Sequence, residues 1–544
     1  MINIFKKIEQ KIDDLFNWLE DNTLLALFLF VAINIAARLT YLAFISHYSP
    51  GALLIRVDGY IYMLKSLEML QGNWLPMRTH ASGWPFLLMP FFYLIQQKSI
   101  FEMMIYSHFL SVVISSLTII PLYLVSKEIF QNKKAVFTTL IIFTCFFWTI
   151  YGSLGLFTEP IFGLLLLFII YCLLKYRDHP HYLIIASLLA GVSYWIKPNG
   201  IFVLLIILLT LWLLRKKVAH FRYHHFSQAI SIFFITALPF LYQRYLYFGS
   251  PFYYGENSKY FVDEYNQLWG AAYPDVSFFE YLGSHSFVEI FNRFAVFGFG
   301  SLTFSLLALT LPFSIFFVWG VMRFLKDAPF TSLLVTLGVW IISFTPIYAV
   351  YFTPRHLFPI LPIAAILITA GVLSLIKYIR YQNLVLLAIA TTGICFISVS
   401  YFYPQYYFLE KTPREALTMS RWIAENVRGK IAMAASNDIV MMNLSDTTVA
   451  QLGLFDLRAP KTGLQVVYPG KIDDIDQLTK WLRDNYVEYL VIDRDHMPRI
   501  TPQLKISPIK RLPSYYKKIY HDYSVESSWE AEIYKLNRID LNNR

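Results

Sequence analysis

The chain of 544 residues is 56% hydrophobic, 18% aromatic and only 15% charged, with a mean hydropathy of +0.48 and a formal net charge of +10. A globular soluble domain carries roughly a quarter charged residues, and a disordered chain combines low hydrophobicity with high charge, so both classes are excluded. The apolar excess has to be solvated by lipid, which makes this a polytopic membrane protein.

In chain order, the first 22 residues are charged and amphipathic, and they lack the short apolar core and small-residue cleavage site of a signal peptide. Apolar stretches of spanning character follow near 24–46, 103–125, 135–151, 160–174, 182–196, 201–214, 228–246, 294–319, 330–350, 357–376 and 384–402, eleven in all. The pair 182–196 and 201–214 is too long for one span, and Lys197-Pro198-Asn199-Gly200 between them predicts a hairpin. With the N-terminus in the cytosol, eleven spans put Lys127/Lys133/Lys134, Lys175/Arg177, Arg215/Lys216/Lys217/Arg222, Arg323/Lys326 and Lys377/Arg380 inside. The short outer loops then hold Lys197 and Arg355 alone, a positive-inside pattern. Residues 47–102, the Thr158-Glu159 turn, residues 247–293 and everything after 402 fall on the extracytoplasmic side. In the first outer loop, Ile61, Leu64, Leu67 and Leu70 recur at helical spacing and predict a helix lying on the membrane surface. The aromatic loop 247–293 has interfacial composition.

Residues 403–544 hold 20 Lys/Arg and 18 Asp/Glu, a normal soluble composition, so the chain divides into a membrane domain, 1–402, and a soluble domain, 403–544. Thr412-Pro413 predicts the start of a helix over 413–427, and a second helix is expected over 473–485. Strands are expected near 430–434, 488–493, 515–521 and 530–536, which together make a small α/β domain. Cys145, Cys172 and Cys395 all lie in apolar runs and read as small core residues, and the C-terminal domain has no cysteine to staple it. No internal repeat, P-loop or GxGxxG is present.

Four charged residues at outer span ends are the candidates for chemistry. Asp58, in RVDGY, is placed either to deprotonate an acceptor hydroxyl or to cap the surface helix. Glu159, in LFTEPIF, either marks a substrate path at membrane depth or complements the dipole of a helix capped by Thr158. Lys197 and Arg355 either hold a phosphate, the arginine by a fork and the lysine as a point charge, or snorkel from helix ends. Two acids and two bases on one face suit an anionic lipid head group. A metal site from His80, His285, Glu256, Asp263 and Glu264 finds no supporting spacing. Asp493-Arg494-Asp495 reads as a loop after a strand. Tyr253, Tyr254, Tyr260, Tyr265 and Trp269 read as an aromatic belt, with sugar stacking as the alternative.

The order RVDGYIYML, LFTEP, SYWIKPNG and PRHLFPILP over the first 402 residues resembles the GT-C superfamily of membrane glycosyltransferases, in particular the family 39 type. That family includes protein mannosyltransferases and aminoarabinose transferases. Where the mannosyltransferases often show Asp-Glu, this chain has Asp58-Gly59. The resemblance implies an inverting transfer of a sugar from a polyprenyl-phosphate donor to an acceptor hydroxyl of a glycan, lipid or protein at the outer face of the cytoplasmic membrane. Asp58 would be the base, and Glu159 would orient the acceptor or help hold a metal. Lys197 and Arg355 would bind the lipid phosphate, and His80, His356 and Tyr60 would be acceptor or sugar contacts. A divalent metal is left open, with no nucleotide cofactor and no nucleic acid expected. A lipid-linked-oligosaccharide transporter or polymerase, or a non-catalytic scaffold, is the alternative. A transporter would be expected to show internal symmetry and mid-span charges, and Arg38 is the clearest mid-span charge.

Overall fold

Long apolar segments in lipid satisfy their backbone polar groups only as helices, and the chain folds accordingly. The computed structural model of the protein describes residues 2–48, 57–77, 80–98, 100–253, 261, 278–324, 331–349, 354–379, 381–402, 430–433, 465–467, 475–493, 516–521 and 531–536. The helical body begins with α1 (Ile2–Asp21), α2 (Thr23–Tyr48), α3 (Val57–Leu70), α4 (Gly83–Ile95), α5 (Ile100–Leu117) and α6 (Ile119–Phe130). It continues through α7 (Lys133–Thr144), α8 (Phe147–Gly152), α9 (Thr158–Lys175), α10 (Tyr182–Ile196), α11 (Gly200–Leu214) and α12 (His224–Phe248). After these come α13 (Phe278–Ser284), α14 (Phe287–Phe291), a π-helical turn (Asn292–Gly298), α15 (Phe299–Leu309), α16 (Ser314–Phe324) and α17 (Thr331–Tyr348). A 3-10 helix (Pro354–Ile360), α18 (Leu361–Ile376) and α19 (Gln382–Phe402) complete the body.

Among the described residues, eight helical stretches are long and apolar enough to cross a membrane, and four shorter apolar helices accompany them. Seven of the expected spans coincide with long stretches. The hairpin at Lys197–Gly200 is present, with α10 and α11 as short partners. The expected span 135–151 breaks at Cys145-Phe146 into α7 and α8. The expected span 294–319 is two helices, because Thr310 to Phe313, with Pro312 in it, interrupts the ladder between α15 and α16. The helix expected in the first outer loop is present as α3. A second helix there, α4, was not foreseen, and its buried Trp84, Leu88 and Phe92 pack in one cluster with Tyr62, Met63 and Leu67 of α3.

Burial sorts the bundle. α18 is buried on nearly every side from Leu361 to Val372, whereas Leu24, Phe28 and Ile33 of α2 and Ile235 and Leu238 of α12 are exposed. Large apolar patches of that kind are sustained in lipid. α18 reaches the centre by backbone contact with α16. A Cβ on Gly320 would overlap the Leu367 carbonyl, and one on Gly371 would overlap that of Phe316. Small residues at such a crossing let two helix backbones touch.

At the end of the bundle away from α3, α1 acts as a strap. Lys133 bonds Glu20 at 2.5 Å, Lys134 bonds Asp13, and the Glu9 carboxylate accepts from the free N–H groups of Asn383 and Leu384 at the start of α19.

The C-terminal region contains a five-stranded sheet of β1 (Lys430–Met433), β2 (Gln465–Val467), β3 (Tyr489–Asp493), β4 (Tyr516–His521) and β5 (Ala531–Leu536), in the order β2-β1-β3-β5-β4. β1 pairs in parallel with β2 and β3, and β5 pairs antiparallel with β3 and β4. Helix α20 (Ile475–Asp484) precedes β3. Four of these strands and α20 match the expectation. β2 was not foreseen, and the helix expected over 413–427 lies outside the described residues.

The crossing of α16 and α18 gives a first prediction. Gly320→Ala must part the two helices and should cost about 1–3 kcal/mol, the usual range for overpacking. Thermal unfolding in detergent checks it, with Gly338→Ala, where open space faces the new methyl, expected near wild type.

Candidate active site

Four chain segments converge at one end of the bundle. Asp58 is the second residue of α3 and Glu159 the second of α9. Lys197 ends α10 in an extended conformation (φ −153°, ψ 136°), and Pro198-Asn199 turns the chain into α11. Arg355 and His356 begin the 3-10 helix after α17. Five of the seven residues singled out from sequence are thereby placed, and a sixth, His80, lies just before α4. The seventh, Tyr60, belongs to α3, and its side chain lies outside the described residues.

The charges pair. Arg355 Nη1 donates to Asp58 Oδ2, and His80 Nε2 lies 3.5 Å from the other oxygen, Oδ1. Lys197 Nζ donates to Glu159 Oε1 at 2.7 Å, and Glu159 is 3% exposed. His356 Nδ1 stands 4.0 Å from the same oxygen. The successive residues Arg355 and His356 therefore address the two carboxylates in turn. The Thr158 hydroxyl, expected to cap α9, instead donates to Glu159 Oε2 at 3.3 Å, and Phe157 holds the N-cap position without a side-chain bond. Burial pushes the Asp58 carboxyl up, but Arg355 and His80 outweigh it and hold Asp58 well below the usual carboxylate range.

Backbone contact sets the spacing of these groups. A Cβ on Gly59 would overlap the Gly155 carbonyl, so α3 lies directly on the turn before Glu159. That turn uses left-handed backbone at Gly155 (φ 99°) and Leu156 (φ 59°), which glycine adopts freely. The departure from Asp-Glu noted in the sequence thus has a steric cause. Trp84 Nε1 donates to Leu156 O at 3.2 Å and ties α4 to the same turn. Trp340 Nε1 donates to His356 O at 2.8 Å, and the Phe344 ring stacks on the His356 ring at 5.1 Å. The Arg355 guanidinium lies 5.7 Å from the Phe157 ring centre. Sequence reasoning missed Trp84, Phe157 and Trp340. Their positions in apolar runs carry no polar signal, and Gly59 beside Asp58 was the visible clue.

Arg38, the mid-span charge, is buried and donates to Asn34 Oδ1 at 2.6 Å within α2. It lines a cavity together with Glu159, Ser115, Thr118 and Thr149. Arg244, buried near the end of α12, donates to Tyr253 O at 2.5 Å and Met77 O at 3.1 Å and pins the segment leading to His80. Of the weaker candidates, His285 stacks on Tyr281. Tyr253 stacks on Phe248. Tyr254, Glu256, Tyr260, Asp263, Glu264, Tyr265, Trp269, Arg494 and Asp495 lie outside the described residues. Among the described residues no group of three or more His, Cys, Asp or Glu is arranged to hold a metal ion.

The Asp58–Arg355 pair carries a stability prediction. Because the folded pKa is depressed, the pair's contribution is complete above the unfolded carboxyl's value of about 3.9. It is lost only as pH falls through the lower folded value. Arg355→Gln should therefore destabilise the protein at neutral pH by about 1–3 kcal/mol, less than the roughly 3–5 kcal/mol of a fully buried broken pair because Arg355 is one-third exposed. Asp58→Asn combined with Arg355→Gln should recover part of that loss. Unfolding of the two single variants and the double variant measures the coupling.

The sequence model of the family described as dolichyl-phosphate-mannose-protein mannosyltransferase matches residues 80–242. No curated protein matches the chain. Among solved structures, ArnT from Cupriavidus metallidurans bound to undecaprenyl phosphate is similar, with a TM-score of 0.57 and 11% identity over 93% of this chain and 97% of that one. The Archaeoglobus fulgidus oligosaccharyltransferase in complex with zinc and sulfate gives a TM-score of 0.55 and 15% identity over 94% and 73%. The same organism's AglB, with an inhibitory peptide and a dolichol-phosphate, gives 0.53 and 13% over 96% and 75%. These likenesses bear out the resemblance drawn from the order of the four motifs: the chain is a polytopic membrane protein with the fold of the GT-C glycosyltransferases.

Proposed function

We propose that the protein transfers a sugar from a polyprenyl-phosphate carrier to an acceptor hydroxyl, with inversion, at the extracytoplasmic face of the membrane. The observation that carries this reading is the convergence of two carboxylates and two cations at one end of an apolar bundle. A lipid tail can lie among the helices while its phosphate meets Lys197 and Arg355. The undecaprenyl and dolichol phosphates named with the similar structures support the donor class, and the mannosyltransferase match supports the transfer.

In this reading the acceptor oxygen attacks the anomeric carbon as the bond from that carbon to the phosphate oxygen breaks. The bonding pair leaves with the polyprenyl phosphate, and the growing charge falls to Lys197 and Arg355. Phosphate is a good leaving group, so no separate acid is required. The acceptor proton leaves toward the Asp58–His80 pair. Glu159 holds Lys197 and, with His356 beside it, orients the acceptor. Both carboxylates already face cations, so an incoming phosphate competes with them for Arg355 and Lys197. Tyr60 remains an acceptor or sugar contact in this proposal, and the C-terminal domain faces the same compartment as the site.

Purified protein supplied with labelled polyprenyl-phosphate sugars and native membranes should move label to a hydroxyl-bearing acceptor, and Asp58→Asn should abolish transfer while inserting normally. Lys197→Gln should raise the KM for the lipid donor by about 10- to 100-fold, the worth of one charge-assisted hydrogen bond. A change confined to the acceptor KM would contradict the phosphate role. A reporter fused after Arg544 tests the orientation and should score as extracytoplasmic.

A further inference from the structure

We infer that α1 is a lipid-docking helix: its outward face holds the anionic phospholipid head groups of the leaflet away from the candidate site. Lys7 and Lys11 make the contacts, and Leu15 and Trp18 sit at the acyl boundary. In the orientation proposed above this is the cytoplasmic leaflet.

α1 separates its charges by face. Glu9, Asp13 and Glu20 turn toward the bundle together with Phe16 and Leu19, which are buried. Glu9 accepts from the start of α19, Asp13 pairs with Lys134 and Glu20 with Lys133. The opposite face carries Lys7, Lys11, Leu15 and Trp18, at intervals of four, four and three residues, which is one stripe on an α-helix. Both lysines are exposed, Leu15 is 53% exposed and Trp18 42%. Lys6 is exposed on the flank of the stripe. The exposed acids that take no part in the strap, Asp14 and Asp21, lie in the second half of the helix, so the first half is a basic patch.

The depth of α1 follows from its contacts. Lys134 Nζ meets Asp13 and also donates to Asn383 Oδ1 at 3.2 Å, so the starts of α7 and α19 stand side by side. From Glu9 to Glu20 the helix covers about 16 Å, and the bonds of its three inward acids all go to those two helix starts. α1 therefore runs across the end of the bundle. Asn22 joins it to α2, where Leu24 and Phe28 already face lipid, 85% and 69% exposed.

Other residues mark this end as a head-group layer. α9, α11 and α18 all start at or beside the candidate site, so their last residues lie at the opposite end. There Lys175 stands over Tyr171, Arg215 over Trp212 at 3.8 Å and Lys377 over Tyr378 at 4.7 Å. Lys127 stands over Tyr123 shortly before the start of α7. Aromatic rings beside basic side chains are the composition of a membrane interface, and a basic helix with Trp and Leu on the same face binds anionic lipid there. A second copy of the chain fits the stripe poorly. Leu15 and Trp18 are the only large apolar side chains exposed on α1 among the described residues, far short of the roughly 800 Å² per partner of a stable interface.

Amide hydrogen exchange of α1 in the full chain tests the inference, in nanodiscs of phosphatidylcholine alone and with phosphatidylglycerol mixed in. Exchange over Gln10–Trp18 should slow by about 10- to 30-fold with phosphatidylglycerol, at about fivefold per lysine, and about 0.5 M salt should reverse the effect. Lys7→Gln combined with Lys11→Gln should remove the response to phosphatidylglycerol. The start of α19 should exchange as in the unmutated protein, because both lysines lie on the face away from the strap. Benzoylphenylalanine at position 15 should cross-link to phospholipid. Exchange indifferent to phosphatidylglycerol in the unmutated protein overturns the inference, as does an unchanged response in the double variant. Cross-linking to a second protein chain in place of lipid also overturns it and makes the stripe a self-association surface.

Discussion

The site depends on the cost of taking carboxylates out of water. Removing an ionised carboxyl from solvent costs several kcal/mol unless a cation and further hydrogen bonds replace the water. Glu159 is almost fully buried and Asp58 largely so. Lys197 and Arg355 meet that cost, and they come from segments far away in sequence. Each ion pair is therefore also a tertiary constraint: one ties α3 to the 3-10 helix, the other ties α9 to the end of α10. The helix ends at this face cannot drift apart without leaving an unpaired charge in an apolar setting.

Much of the membrane body was legible because lipid imposes so strong a filter. Runs such as 24–46 and 357–376 have no other stable reading, and the Lys197–Gly200 interruption announced its hairpin. Failures came where local chemistry overrode the average. At Cys145-Phe146 and Thr310–Phe313 the apolar run continues through a helix break, so hydropathy alone could not divide it. α4 was hidden in a loop because it is shorter than a span and carries Pro90 inside. In the C-terminal region, β3 to β5 were legible from β-rich runs, while β2 is three residues long and gives almost no periodic signal.

The site was legible as a set of residues and opaque as a set of pairs. Order and sidedness brought Asp58, Glu159, Lys197 and Arg355 onto one face, but nothing in the sequence indicated that Arg355 would choose Asp58 and Lys197 would choose Glu159. That choice is visible only in the fold, where the 3-10 helix, held by the Trp340–His356 bond, brings Arg355 to Asp58. The capping alternatives for Asp58 and Glu159 also needed coordinates to weigh. Both residues do sit in the first turn of a helix, where a negative charge is favoured, and both side chains are nevertheless committed to cations.

The contact between Gly59 and the Gly155 carbonyl couples the two acidic segments. A residue larger than glycine at 59 meets the turn, and one at 155 would have to adopt a left-handed backbone. Placing a second acid directly after Asp58 therefore requires the approach to Glu159 to be rebuilt with it, so the two turns are constrained to change together.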